Sequence, residues 1–346
     1  MLETNPTVLG SAVTPEAERA LLKELAVYAR PVPARSLLQI AAAFGPFLAA
    51  CALAYWAYGV SPWLAAALAV PAGALLVRVF IVQHDCGHRS FFAARWANDA
   101  LGVACSLLTL APYAHWRRQH AGHHGNWNNL DRRESGADIY SSCLTTAEFR
   151  ALPWRQRLIY RATRHPLVAN IILPPLVFGV LYRVPFDTPK DWRLERLSVH
   201  ATNAGLIALF GALGLALGFD RMAVVQFTIL LVASTIGVWL FSVQHRFETA
   251  HWSRQDKWTY MAASLEGSSY LRLPAALRWL TGSIGLHHVH HLNSRVPNYR
   301  LQESCDRVMP LGAIPSMGLR CALRAMWLAL WDEERGRLVS FKEARR

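Results

Sequence analysis

Four stretches of the chain are apolar for about the length that crossing a bilayer demands. Residues 37–58, 197–219 and 222–244 contain no Lys, Arg, Asp or Glu, and residues 62–82 contain only Arg78. A helix needs about 20 such residues to span a hydrocarbon layer of roughly 30 Å, so the pattern predicts four transmembrane helices. Arg78 lies near one end of its stretch, where a long side chain is expected to reach the headgroups.

The links between partners are short, residues 59–61 and 220–221, which predicts two helical hairpins. Neither turn carries net positive charge, whereas the N-terminus, residues 84–196 and the chain after His245 are rich in Arg. The positive-inside rule then puts the termini and the long segments in the cytoplasm. Two further apolar stretches are not expected to span. Residues 100–113 are short for a crossing, and residues 166–185, broken by Pro174-Pro175, would separate flanking histidines onto opposite faces of the membrane. Both are expected to be interfacial or re-entrant helices. Thr14-Pro15-Glu16 has the form of a cap and first turn, and Leu319, Leu323, Met326, Leu330 and Trp331 have helical spacing. The expected fold is an all-α integral membrane protein. An N-terminal amphipathic segment (1–36) precedes a membrane domain (37–301), whose cytoplasmic cap is formed by 84–196 and 245–301, and a helical tail (302–346) follows.

Composition supports the membrane reading and removes others. The 346 residues are 53% hydrophobic and only 17% charged, too little charge for an ordinary soluble surface. The formal charge of +13 raises nucleic acid as a partner, but the basic residues flank apolar spans and form no recognition motif, so none is expected. Residues 1–36 lack the short apolar core and cleavage site of a signal peptide. The six cysteines form no CxxC and read as free thiols in a reducing compartment.

The chemistry is concentrated in three clusters: His84-Asp85-Cys86-Gly87-His88, His120-Ala121-Gly122-His123-His124 and His287-His288-Val289-His290-His291. Histidines three or four apart share a helix face, so their imidazoles can converge on one point. The eight outer ones, His84, His88, His120, His123, His124, His287, His290 and His291, exceed the four ligands of a single tetrahedral zinc, which implies two metals. Imidazole suits iron, copper, nickel and zinc alike. The apolar setting favours redox chemistry on a hydrocarbon, which zinc cannot supply. His115, His165, His200, His251 and His288 fit no ligand face as well and are left out as interfacial histidines. Asp85 is a candidate for orienting an imidazole from behind.

In this order and spacing the clusters resemble the three histidine boxes of the membrane fatty acid desaturases, over about residues 40–301. Arg89-Ser90-Phe91-Phe92, His115-Trp116-Arg117 and Pro297-Asn298-Tyr299 are similar to the branch acting on membrane acyl lipids. Three residues separate the first-box histidines, where acyl-CoA enzymes usually have four. The third box begins with His287, and the HPGG motif of front-end enzymes is absent. The methyl-end or omega-6 type is therefore nearest.

The resemblance implies two Fe ions, O₂ as co-substrate, membrane lipid acyl chains as substrate, no catalytic group beyond the metal ligands, and a separate electron donor, a ferredoxin or b-type cytochrome with its reductase. Arg117-Arg118 and Arg132-Arg133 are candidates for receiving an acidic donor or for holding anionic headgroups. It also implies a ninth ligand, His245, the lone histidine before the third box, although Phe241 stands where the acyl-CoA branch often has Asn. A hydroxylase, ketolase or alkane oxygenase of the same di-iron class would share every metal argument. A metal transporter predicts polar or acidic residues halfway through the spans, and none of the acidic kind occurs there.

Overall fold

The computed structural model describes residues 14–133, 142–308 and 314–345. Its first helix, α1 (Pro15–Ala26), starts where the sequence predicts, with the Thr14 hydroxyl accepting from the Ala17 N–H at 3.3 Å. Four helices are long and apolar enough to cross a membrane: α2 (Pro33–Ala57), α3 (Pro62–Gly87), α9 (Arg193–Leu217) and α10 (Phe219–His245). Each is longer than its apolar core at one end or both, because caps rather than hydropathy set the boundaries. Pro33 and Pro62 occupy first-turn positions that need no N–H donor, and the Ser61 hydroxyl accepts from Trp63 N–H at 3.2 Å. Between α9 and α10 the chain turns at Gly218, whose φ of +99° disfavours any residue with a Cβ. Leu37, Leu38, Trp63, Ile207, Leu215 and Phe227 on these helices are exposed, as side chains facing lipid would be.

Between the two long pairs lie α4 (Arg95–Thr109), α5 (Tyr113–Asn126), a two-residue strand β1 (Leu144–Thr145), α6 (Thr146–Ala151), α7 (Trp154–Thr163) and α8 (Leu173–Gly179). The α7 segment and the segment Val168–Arg183 that contains α8 meet at a 61° bend. That shape suits a broken span or a re-entrant loop, the second being what Pro174-Pro175 led us to expect. After α10 come α11 (Tyr260–Glu266), β2 (Tyr270–Arg272), α12 (Ala275–Leu280), α13 (His287–Leu292), α14 (Asn298–Val308), β3 (Ser316–Gly318), α15 (Leu319–Ala325), β4 (Leu328–Asp332) and β5 (Arg337–Ser340).

The fold is thus mostly helical with two small sheets, which corrects the all-α expectation. Strand β4 pairs parallel to β1 and antiparallel to β5, while β2 pairs parallel to β3. The helical spacing that runs from Leu319 to Trp331 is realised as helix only over Leu319–Ala325. Leu330 and Trp331, placed on its face by spacing, lie in β4, because cross-strand partners and the turn at Gly336 (φ +60°) outcompete helix propensity there.

Arg78 departs from expectation too. It is 5% exposed, and its guanidinium donates to the Trp279 carbonyl and, at 2.6 Å, to Gln39 Oε1, lying 4.3 Å over the Trp279 ring. It ties α2 and α3 to α12 and does not reach out to headgroups.

The main core lies where α3 packs against α2, α4 and α10, with Ala65, Ala69, Ala72, Val79, Ile229 and Val225 buried in it. Gly73 permits the closest approach: a Cβ there would sit 2.6 Å from Val232 Cβ and 3.0 Å from the Ile229 carbonyl oxygen. Small residues at such crossings let helices pack backbone to backbone in a membrane. Gly73→Val should therefore lower the stability of detergent-solubilised protein by about 1–3 kcal/mol, the usual range for overpacking. Gly45→Val on α2, where a Cβ meets nothing within 4 Å, should leave it unchanged, both read by thermal unfolding.

Candidate metal centre

Helix periodicity distributes the histidines between two points. On α5, His120 and His124 are one turn apart and face one group, while His123 faces the other. On α13, His287 and His291 are one turn apart and face the second group, while His290 faces the first. The C-terminal end of α3 adds His84 and His88 to the first, and the last residue of α10, His245, joins the second. Five histidines (84, 88, 120, 124, 290) and four (123, 245, 287, 291) result, and within each group the nearest ring nitrogens all lie within 4.8 Å of one another. All nine sequence-predicted ligand candidates are brought together, whereas His115, His165, His200, His251 and His288 fall outside both groups.

In the second group the Nε2 atoms of His123 and His245 are 3.1 Å apart, those of His245 and His287 2.9 Å, those of His287 and His291 3.0 Å, and those of His123 and His291 3.4 Å. In the first, His124 Nε2 lies 3.2 Å from His120 Nε2 and 3.1 Å from His290 Nε2. Hydrogen bonding from the outer nitrogens fixes which lone pairs point inward. His84 Nδ1 donates to Asp85 Oδ1 at 3.1 Å, and His245 Nδ1 donates to the Gly267 carbonyl at 3.1 Å, leaving Nε2 of each free to ligate. Asp85 is itself held by the Asn298 N–H at 2.7 Å.

Burial, and then mutual repulsion, hold His88, His120, His124, His287, His290 and His291 well below the ordinary imidazole pKa. They are neutral, the state a metal requires. The buried His88 Nε2 has no hydrogen-bond partner, although the His84, His120 and His124 rings surround it at 4.6–4.9 Å. Converging lone pairs repel one another, and a cation between them turns that repulsion into coordination. The donor set therefore fits two metal ions, one per group. Among the described residues no carboxylate or thiol joins either group.

The groups open onto an apolar cavity of about 420 Å³ between α3, α5, α8 and α10. His84, His120, His123 and His287 line one end, Met222 and Gln226 the other, with Phe80, Leu108, Phe178, Leu230 and Phe241 along the walls. Its size suits one small or chain-like ligand. Trp116 stacks on His120 at 4.6 Å, and Phe241 lies 4.9 Å from His123.

Several residues turn out differently from their reading in the sequence. His115 is no interfacial histidine: it is 3% exposed, and Asp187 Oδ1 lies 3.2 Å from its Nε2. That bond holds the Asp187 carboxyl below its usual range. Gln119, which lines the cavity, donates to Asp187 Oδ2 at 2.6 Å. His288 is fully buried with Nε2 3.9 Å from Cys305 Sγ. The arginine pairs have internal partners: Arg117 bonds Asp99 at 2.7 Å, Arg118 lies 3.9 Å over Trp192, and Arg133 bonds Glu148 at 2.6 Å. Trp127, 4.2 Å from His291, was not anticipated, since a lone tryptophan beyond a box carries no periodic signal.

Comparison with known proteins agrees with this arrangement. The model of the family "Fatty acid desaturase" matches residues 61–321. A fatty acid desaturase of Bacillus subtilis (strain 168) is 40% identical over 325 residues, 94% of this chain and 91% of the relative. An sn-1 oleoyl-lipid 12-desaturase of Anabaena variabilis is 25% identical, covering 72% and 70%. An sn-1 acyl-lipid omega-3 desaturase (ferredoxin) of Nostoc sp. (strain 36) is 25% identical, covering 75% and 70%. With the match running through all three histidine clusters and over three quarters of the chain, the protein belongs to the membrane fatty acid desaturase family.

Proposed function

We propose that the protein is an O₂-dependent desaturase of membrane acyl lipids, with two irons held by His84, His88, His120, His124 and His290 on one side and by His123, His245, His287 and His291 on the other. The observation that carries this reading is the five-plus-four imidazole cage opening onto an apolar cavity. The irons would supply O₂ reduction and the oxidising power to break unactivated C–H bonds. The balance is simple: a –CH₂–CH₂– unit loses two hydrogens, the donor adds two electrons, solvent adds two protons, and O₂ leaves as two waters.

The chain's own residues position and exclude. Neutral imidazoles hold the metals without adding charge near hydrocarbon, and Asp85 sets the His84 tautomer. Phe80, Trp116 and Phe241 keep water from the reacting carbons and press the acyl chain toward the histidines. The orientation we favour puts the histidine groups and both termini on the cytoplasmic side, by the arginine asymmetry. The Nostoc relative's name specifies ferredoxin, which supports a ferredoxin or b-type cytochrome as donor.

The deciding experiment is expression in a host that makes no polyunsaturated lipids, with double-bond positions mapped by mass spectrometry. New unsaturated acyl chains are expected; hydroxylated or oxo products would move the protein to a sister oxygenase.

Three further outcomes are expected. Elemental analysis should give two irons per chain; one stoichiometric zinc without iron-dependent turnover would overturn the assignment. His245→Ala should lose iron and nearly all product while still inserting in the membrane, His165→Ala should keep both, and Asp85→Asn should weaken metal retention by about 10–100-fold, the usual effect of losing such a support. Turnover should need a reductase and a one-electron carrier, so steady activity with NAD(P)H and O₂ alone would contradict the donor assignment.

A further inference from the structure

The cavity follows α10 for most of its length, from Gln244 beside the histidines to Met222 at the far end. Large side chains flank its middle, Phe241 toward the histidines and Leu230 and Phe227 toward the far end. Between them stands Gly237, which lines the cavity and where an added Cβ would meet nothing within 4 Å. The missing side chain is open space inside the cavity. Gly237 precedes His245 by eight residues, which at a helical rise of 1.5 Å is about 12 Å of depth, and Gln226 lies roughly 16 Å further along.

Which part of an acyl chain reaches that depth follows from polarity. The lipid carrier is polar and has to remain at the interface, near the arginine-rich face that holds the histidine groups. The carbons being oxidised lie against His84, His120, His123 and His287. The methyl-side carbons remain, and the apolar space beyond Phe241 is where they are buried. At the far end the Gln226 amide donates to the Tyr55 hydroxyl at 2.9 Å, so the polar groups there are mutually satisfied and invite no headgroup.

We propose that Gly237 is a specificity-determining residue: its missing side chain lets the methyl-side segment of the acyl chain pass, and so sets how many carbons beyond the new double bond the protein accepts. This deepens the desaturase reading and rests on it for the identity of the ligand. A side chain at 237 would close the passage at about 12 Å from His245, leaving room for a short methyl-side segment and none for a long one.

The test is a graded series, Gly237→Ala, Gly237→Val and Gly237→Leu, expressed as the full chain in cells fed fatty acids of stepwise increasing length. The control is Gly211→Leu on α9, where an added Cβ also meets nothing within 4 Å but lies outside the cavity lining. The ratio of long-chain to short-chain product should fall through the series, by about tenfold or more for Gly237→Leu, since even one methylene of misfit in an apolar pocket is worth about that factor. Gly211→Leu should keep the wild-type ratio. An unchanged ratio across the series, or an equal change at position 211, would overturn the proposal. Should Gly237→Leu fail to accumulate, the Ala and Val variants decide by the same ratio. Thermal stabilisation of the purified proteins by lysolipids of increasing chain length provides a second readout independent of turnover. A chain-length cutoff that shortens from wild type to Gly237→Val supports the passage even if no double bond is made, and a cutoff that does not move refutes it.

Discussion

Nine converging imidazoles, seven of them with ring nitrogens 2.9–3.4 Å from a neighbour's, impose the constraint on which the rest of the structure depends. Uncharged, they repel through their lone pairs, and charged they would repel far more in a low dielectric. Such an arrangement persists only when the scaffold fixes each ring and a cation rewards the convergence. The helix ends follow from this. Helices α3 and α10 must finish at one depth so that His84 and His88 reach one group and His245 the neighbouring one, while α5 and α13 each supply histidines to both groups. Gly73, which lets α3 and α10 touch through backbone, sets the spacing on which that depends.

The same requirement explains the polar fittings around the cage. Asp85 would be costly beside hydrocarbon, yet the Asn298 N–H and His84 Nδ1–H both donate to it. The Gly267 carbonyl, in the turn before β2, reaches His245, and the Ser269 N–H donates to the Gln244 carbonyl at 3.0 Å, so the segment after α11 is tied to the end of α10. Arg78 does similar work between α3 and α12. A polar site at the foot of apolar helices is maintained by satisfying each donor and acceptor locally.

How much of this was legible in the sequence depends on whether the signal was local. The spacing of histidines on a helix face is local, and all nine candidates converge. The apolar length of the spans is local as well, and only some of their ends moved, among them those set by Pro33 and Gly218. What failed required a partner distant in sequence. Arg78 was read as snorkelling because Trp279 lies 201 residues away. His115 was read as interfacial because nothing in its neighbourhood announces Asp187. Leu330 and Trp331 were read as helical because their strand partners include Leu144 and Thr145. Side-chain periodicity says which face a residue occupies, and it is silent on what the fold brings against that face.

The division of the molecule into a neutral ligand cage and an apolar cavity also bears on why imidazole alone was selected. Carboxylate ligands would offset the metals' charge, but each would need its own hydrogen-bond donors at the head of a cavity whose other walls are Phe, Leu and Trp. Imidazole needs one partner for Nδ1 and directs its remaining lone pair at the metal, so the polar support stays behind the ring and the front remains apolar. The carboxylate of Asp85 stands behind His84 and outside the groups. An acyl chain in this cavity would meet ring edges, Trp116 and Phe241. In a cavity built this way binding is non-directional, so selectivity rests on shape along its length, and the residue with no side chain to offer, Gly237, is the point where shape is easiest to change.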